Sequence, residues 1–203
     1  MMRAGVIGLG DMGSGLAKNL IKNGILTTGF DLSNLRMDAF VQMGGTPAAS
    51  IAEVGNNSDA VFVMVMNGEQ AKSVILGENG LASHMSKGGA VLLTATIKPL
   101  EAREIDTALQ GSGVHLIDSP VSGGFPRAQN GTLTMMAAAA SDVLDKYATI
   151  MESVSSTIHR VGTHAGEGQV MKSCLQTLIG SNFGATFEAA ALAAKAGVSG
   201  QAL

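Results

Sequence analysis

Three groups of residues in this sequence have types and spacings that chemistry can use. The first is Gly8-Leu9-Gly10-Asp11-Met12-Gly13, a G-x-G-x-x-G run between an apolar segment and an amphipathic one. In such a run the first glycine permits a tight turn, the second lets backbone approach a pyrophosphate, and the third allows close helix–strand packing. The helix that follows turns its free N–H groups and positive dipole end toward the phosphates. Asp31 comes 23 residues after Gly8, where the next apolar run ends. A carboxylate there accepts from a ribose 2′-hydroxyl and repels a 2′-phosphate, which favours NAD. Arg36, close by in sequence, keeps NADP as the alternative.

The second group is Asp118-Ser119-Pro120-Val121-Ser122-Gly123-Gly124. It leaves an apolar run and turns through two glycines, so successive backbone N–H groups and the Ser122 hydroxyl could cradle a substrate carboxylate. The third is Gly166-x-Gly168-x-x-x-Lys172-x-x-x-Gln176, where Lys172 and Gln176 are i and i+4 and share a helix face. A lysine near a helix N-terminus sits in an unfavourable dipole, and burial would further disfavour its charged form. Both effects suit it to acid/base work near neutral pH. Other candidates carry less. The single tyrosine, Tyr147, is followed at 151 by Met, so no Tyr-x-x-x-Lys pair exists. His84, His115, His159 and His164 have no motif around them and read as ordinary surface or core-edge residues.

These groups need positioning elements, and the hydrophobic pattern supplies them. Strands are expected at 4–7, 25–30, 46–49, 60–66, 90–93, 114–117, 133–139 and 157–161. Helices are expected at 12–23, 35–43, 51–56, 71–76, 99–109 and 141–153. Short apolar runs alternating with amphipathic stretches predict βαβ units and a parallel sheet. The run at 60–66, AVFVMVM, reads as a strand buried on both faces. From residue 169 to 196 the pattern becomes one long helix, with Met171, Leu175, Leu178, Ile179, Phe183 and Phe187 at helical spacing. The fold class expected is therefore α/β: a Rossmann-type doubly wound, mostly parallel sheet followed by a long helix.

Composition agrees with that reading. The chain has 203 residues, 46% of them hydrophobic and 14% charged, with 27 glycines in clusters and a net charge of −3. Such a balance builds a core and excludes a disordered chain. It leaves no basic footprint for nucleic acid, and six Phe, one Tyr and no Trp leave few platforms for stacking bases. One cysteine, Cys174, excludes an intrachain disulfide framework and a multi-cysteine zinc site. No apolar stretch reaches the 18 or so residues of a membrane span. A cytoplasmic, reducing location is the expectation, with neither membrane nor metal involved.

Taken in order, GLGDMGSGLAKNLIKNG at 8–24, DSPVSGG at 118–124 and GEGQVMK at 166–172 resemble the three signatures of the β-hydroxyacid dehydrogenases, of which 3-hydroxyisobutyrate dehydrogenase is a member. The stretch VMNGEQAKSVILGENG at 65–80 and the pair His84-Met85 look most like the L-threonate branch of that family. The resemblance covers essentially the whole chain. It implies that Lys172 is the general acid/base and that Ser122, Gly123 and Gly124 hold the substrate. It also implies that Val65, Met66 and Thr96 line the nicotinamide half of the cofactor site. Two departures stand out: Leu175-Gln176 replaces an asparagine common shortly after the lysine, and Ala95 stands where serine is frequent. Gln176 retains the ability to bond a substrate hydroxyl.

The expected division is an NAD-binding domain at 1–164 and a long helix at 165–203 that begins a helical second domain, truncated here. Two functional expectations follow. One is NAD-dependent oxidation of a small 3-hydroxy acid, of the L-threonate or 3-hydroxyisobutyrate type. The other is a cofactor-holding module without turnover. The apolar stripe of the last helix is expected to drive self-association as a homo-oligomer.

Overall fold

A computed structural model describes residues 2–203, so Met1 of the expected 1–164 unit lies outside the described residues. The chain begins with β1 (Ala4–Ile7), every residue of which is buried, and passes through the glycine turn into α1 (Asp11–Lys22). Leu16, Ala17 and Leu20 give α1 its buried face. β2 (Thr27–Phe30), α2 (Asn34–Gln42), the short β3 (Thr46–Pro47) and α3 (Ile51–Asn56) complete the first half-sheet. The second half is built from β4 (Ala60–Val63), α4 (Gly68–Leu76), α5 (Leu81–His84), β5 (Ala90–Leu93), α6 (Pro99–Leu109) and β6 (His115–Asp118). Then come β7 (Val121–Ser122), α7 (Gly124–Asn130), β8 (Leu133–Ala138), α8 (Ser141–Lys146), α9 (Ala148–Glu152) and β9 (Ser155–Gly162). The chain finishes on α10 (Glu167–Lys195), 29 residues long.

The strands make one sheet in the order β3-β2-β1-β4-β5-β6-β8-β7, with β9 on the other side of β8. From β3 to β6 all pairs are parallel; β8 runs antiparallel to β6 and β7 and parallel to β9. Successive strand residues point to opposite faces, and each face has its own core. Val6, Phe62 and Leu92 join Leu16, Leu20 and Phe40 on one side. Ile7, Val61, Val63, Val91 and Leu93 join Val54, Ile75, Leu81 and Ile105 on the other. The fold is the doubly wound, mostly parallel α/β sheet expected from the pattern, with the long helix after it.

Several expected boundaries move. The 60–66 strand ends at Val63, opposite the last residues of its neighbours, Ile7 and Leu93, with one more bond from the Met64 N–H to the Ile7 carbonyl at 2.9 Å. The 25–30 strand shortens to start at Thr27, opposite the first residue of β1, and the 46–49 strand to the two residues that pair with Thr28 and Gly29. The expected 141–153 helix breaks at Tyr147, whose backbone leaves helical geometry (φ −102°, ψ 9°) and whose hydroxyl donates to the Gly88 carbonyl at 2.5 Å. The stretch after Gly123, to which the hydrophobic pattern assigns no element, contains α7, and the stretch at 81–84, likewise unassigned, forms α5.

Candidate active site

Because β2, β1, β4, β5 and β6 are parallel, their carboxyl ends share one edge of the sheet. Along it lie Asp31, the Gly8–Gly13 turn, Val65 and Met66, Thr96, and the 119–124 segment. The strand order reverses between β1 and β4, the crevice where open α/β sheets take ligands.

The phosphate turn has the geometry that its glycines require. Gly8 has φ +89°, and a Cβ there would strike the Met64 carbonyl. A Cβ on Gly13 would strike the carbonyl of Gly8, so the third glycine is what lets α1 press against the turn. No side chain caps the N-terminus of α1, which leaves its first N–H groups to an anion. Leu9 is buried and Met12 half-buried beneath the turn, while Asp11 is exposed. Asp31 is more than a ribose acceptor. Its Oδ2 takes the Leu9 N–H at 2.7 Å and its Oδ1 takes the Ser33 N–H at 2.9 Å, tying the end of β2 to the turn. Arg36 approaches Asp31 Oδ2 at 3.4 Å, and its guanidinium lies 3.8 Å from where a Gly10 Cβ would stand. The turn, the uncapped helix and the acid therefore fit a dinucleotide, with Arg36 partly offsetting the carboxylate.

On the second half of the edge, Val65 is half-buried and the Met66 side chain is 85% exposed, its N–H donating to Gln70 Oε1 at 3.0 Å. Thr96 is exposed between two backbone groups held from below. The Ser122 turn is fixed by the sheet. Asp118 faces Ala138, Val121 faces Met135 and Ser122 faces Thr134, one unbroken antiparallel register through Pro120. Gly123 and Gly124 then turn with φ +129° and +62°, values that favour glycine.

Lys172 lies on α10 with 8% of its surface exposed, and its amine makes no hydrogen bond or ion pair among the described residues. Burial pulls its pKa below the ordinary lysine value. What places it is a polar lock one turn earlier, and the lock's chief member was not singled out by the sequence. Gln169, fully buried, accepts the Ile97 N–H at 3.0 Å and donates to the Ala95 carbonyl at 3.0 Å and to Asp118 Oδ1 at 2.9 Å. Asp118 Oδ2 in turn accepts the N–H groups of Gly166 at 2.8 Å and Gln169 at 3.2 Å. Burial pushes the Asp118 carboxyl up, against the downward pull of these hydrogen bonds. Gly168 makes the approach possible, since a Cβ there would stand 2.7–2.8 Å from the carbonyl oxygens of Met136 and Asp118. The lock thus brings together the Thr96 loop, the end of β6 and the foot of the lysine helix. Gln176, one turn beyond Lys172, is exposed and without hydrogen bonds among the described residues.

Fold and turn together define a Rossmann-type NAD-binding domain. The profile of the NAD binding domain of 6-phosphogluconate dehydrogenase matches residues 3–162. L-threonate dehydrogenase of Escherichia coli K12 is 37% identical over 195 residues, covering 96% of this chain. An NAD-dependent L-serine dehydrogenase of Pseudomonas aeruginosa is 34% identical over 203 residues, covering 100% of this chain and 68% of its own. The crystal structure of 3-hydroxyisobutyrate dehydrogenase from Salmonella typhimurium superposes with a TM-score of 0.89 at 33% identity, over 98% of this chain and 69% of that one. The chain belongs to the β-hydroxyacid dehydrogenase family, of the 3-hydroxyisobutyrate dehydrogenase type. It spans 65% of the length of the E. coli L-threonate dehydrogenase. No helix among the described residues is long and apolar enough to cross a membrane, and no cluster of metal-ligating side chains is present among them.

Proposed function

We propose that this chain carries the cofactor half and the acid/base residue of an NAD-dependent dehydrogenase acting on the hydroxyl of a small 3-hydroxy acid, of the L-threonate or 3-hydroxyisobutyrate type. The observation that carries the reading is Lys172: a residue 8% exposed, its amine unpaired among the described residues, on the helix that the Gln169–Asp118 lock fixes to the ends of β5 and β6. Residues 1–164 are the cofactor unit and 165–203 begin the second one. Gly8, Leu9, Gly10, Asp11, Met12 and Gly13 hold the pyrophosphate, Asp31 the ribose, and Val65, Met66 and Thr96 the nicotinamide end. Bound NAD supplies the hydride acceptor. Ser122, Gly123 and Gly124 hold the substrate carboxylate, and Gln176 reaches a substrate hydroxyl. Neutral Lys172 takes the hydroxyl proton as the C–H bond is given up. Its lowered pKa keeps the neutral form available.

The test is Lys172→Ala. NAD-linked oxidation of 3-hydroxyisobutyrate and L-threonate is expected to disappear while NADH binding survives. Turnover equal to wild type refutes the assignment. A second reading, an NAD-holding module without turnover, is favoured by the uncovered state of α10, which buries only Gly168, Gln169 and Lys172. It predicts NADH binding with no oxidation of any short hydroxy acid by the wild-type chain. Either way the exposed Phe183, Phe187 and Leu192 of α10 favour self-association, read by sedimentation at micromolar concentration.

A further inference from the structure

We propose that Arg127 is a specificity-determining residue: its guanidinium, folded back over Gly123, receives the carboxylate of the substrate, so that the site takes free hydroxy acids and rejects their neutral esters. This rests on the reading of Ser122–Gly124 as the substrate turn and adds to it a residue that no motif singles out.

Arg127 lies on α7, four residues after Gly123. Helical side chains lean toward the N-terminus, so one at this position reaches back over the turn that begins the helix. Its stem occupies the space that Gly123 leaves: Cδ, Cβ and Cγ lie 2.6, 2.7 and 3.1 Å from where a Cβ of residue 123 would stand. Gly123 is thus doubly required, by its φ of +129° and by the arginine packed on it. Arg127 as a whole is exposed, so the stem that packs on Gly123 leaves the residue open to a ligand. The ion pairs among the described residues use Arg3, Arg36, Lys72, Arg160 and His164, so Arg127 stays free.

The backbone beneath it is anchored on both sides. The Arg127 carbonyl accepts the Thr132 N–H at 3.0 Å. The next carbonyl, of Ala128, accepts from Asn19 Nδ2 at 2.8 Å, and Asn19 is itself buried on α1. Gln129 Nε2 reaches Ser14 Oγ at 3.3 Å and the Asp11 carbonyl at 3.4 Å. α7 is therefore docked against the first turns of the phosphate-binding helix, and it carries Arg127 on the short helix that leads from the substrate turn to that dock. A planar guanidinium matches a carboxylate with two parallel hydrogen bonds. An ester keeps the hydroxyl and loses the charge.

The experiment titrates 3-hydroxyisobutyrate and its methyl ester into the NADH-loaded chain, following NADH fluorescence, for wild type, Arg127→Lys and Arg127→Gln. Wild type is expected to bind the acid at least about tenfold more tightly than the ester, the effect of one charged hydrogen-bond pair. Arg127→Gln is expected to lose that margin with ester binding and NADH affinity unchanged, and Arg127→Lys to keep part of it. Unchanged NADH affinity shows that each variant is folded. Acid binding by Arg127→Gln within twofold of wild type overturns the inference and leaves the dehydrogenase reading intact. A wild-type chain that binds acid and ester equally also overturns it. A chain that binds NADH and neither compound overturns both.

Discussion

Strands β1, β4 and β5 bury every residue they contain, whereas α10 buries three of its 29, namely Gly168, Gln169 and Lys172. The strands are held by apolar side chains on both faces, a many-fold, redundant attachment. α10 is held at its foot, where two of the three buried residues are polar and the attachment depends on a handful of hydrogen bonds to Asp118, Ala95 and Ile97. The lesson is where sensitivity lies. In the sheet, a lost methyl group leaves many other contacts in place. At the seam between sheet and helix, one amide organises the Thr96 loop, the β6 end and the lysine helix at once. Lys172, the proposed acid/base, sits at that seam.

The largest contrast is expected from Lys172→Met. Turnover should fall about 10²–10⁴-fold, while the melting temperature at pH 7 rises by about 3 °C, the shift that ~1 kcal/mol produces in a chain of this size. A drop in melting temperature would show that the lysine supports the fold. Gln169→Leu tests the lock itself. It leaves Asp118 Oδ1, the Ala95 carbonyl and the Ile97 N–H without partners, at a cost of about 3 kcal/mol in urea unfolding. A loss below about 1 kcal/mol would mean that α10 is held by something other than the lock. Gly13→Ala tests the sheet side. It forces α1 off the Gly8 carbonyl for about 1–3 kcal/mol and weakens NADH binding, read by fluorescence titration.

The pH dependence follows from the lowered pKa of Lys172. Its folded value lies below the unfolded value of about 10.5. The stability linked to this group is therefore complete above about pH 10.5, where the amine is neutral in both states, and is lost as pH falls through the folded value. The advantage of Lys172→Met should accordingly be largest near neutrality and close as pH approaches 10.5, measured by thermal melts across that range. The smallest effect on stability belongs to the far end of α10. Phe183→Ser with Phe187→Ser should change unfolding by no more than about 0.5 kcal/mol, because both rings are mostly exposed and stack chiefly on each other at 6.0 Å. The same pair should reduce self-association in sedimentation. A large stability loss would mean that this end is not the free element its exposure indicates.

Much of this was legible because its signals are local. The Gly8–Gly13 turn, Asp31, β5 and α6 could be read from spacing and from hydrophobic runs bounded by Gly or Pro, and Lys172 from its place near a helix start. What escaped depends on neighbours far along the chain. α7 contains Gly124, Pro126 and Asn130 in seven residues and has no apolar period; it is a helix because Ala128 packs on Gly15 and Asn19 holds two of its carbonyls. Gln169 looked like any polar residue on a helix, since nothing in its neighbourhood announces that Asp118 and Ala95 will close over it. The Asp31 carboxylate was read as a ligand group, and its bond to Leu9 becomes visible only when β2 lies beside β1. The missed features are polar and long-range, and periodicity is blind to both.

The foot-only attachment of α10 also makes it a lever. At 1.5 Å per residue its 29 residues extend about 44 Å, and Lys172 stands about 9 Å from the fulcrum at Gly166. A tilt of about 5° about that fulcrum carries the far end roughly 4 Å, and the lysine less than about 1 Å. Motion applied to the distal turns thus reaches the amine reduced about fivefold: a coarse displacement at one end becomes a fine adjustment at the other.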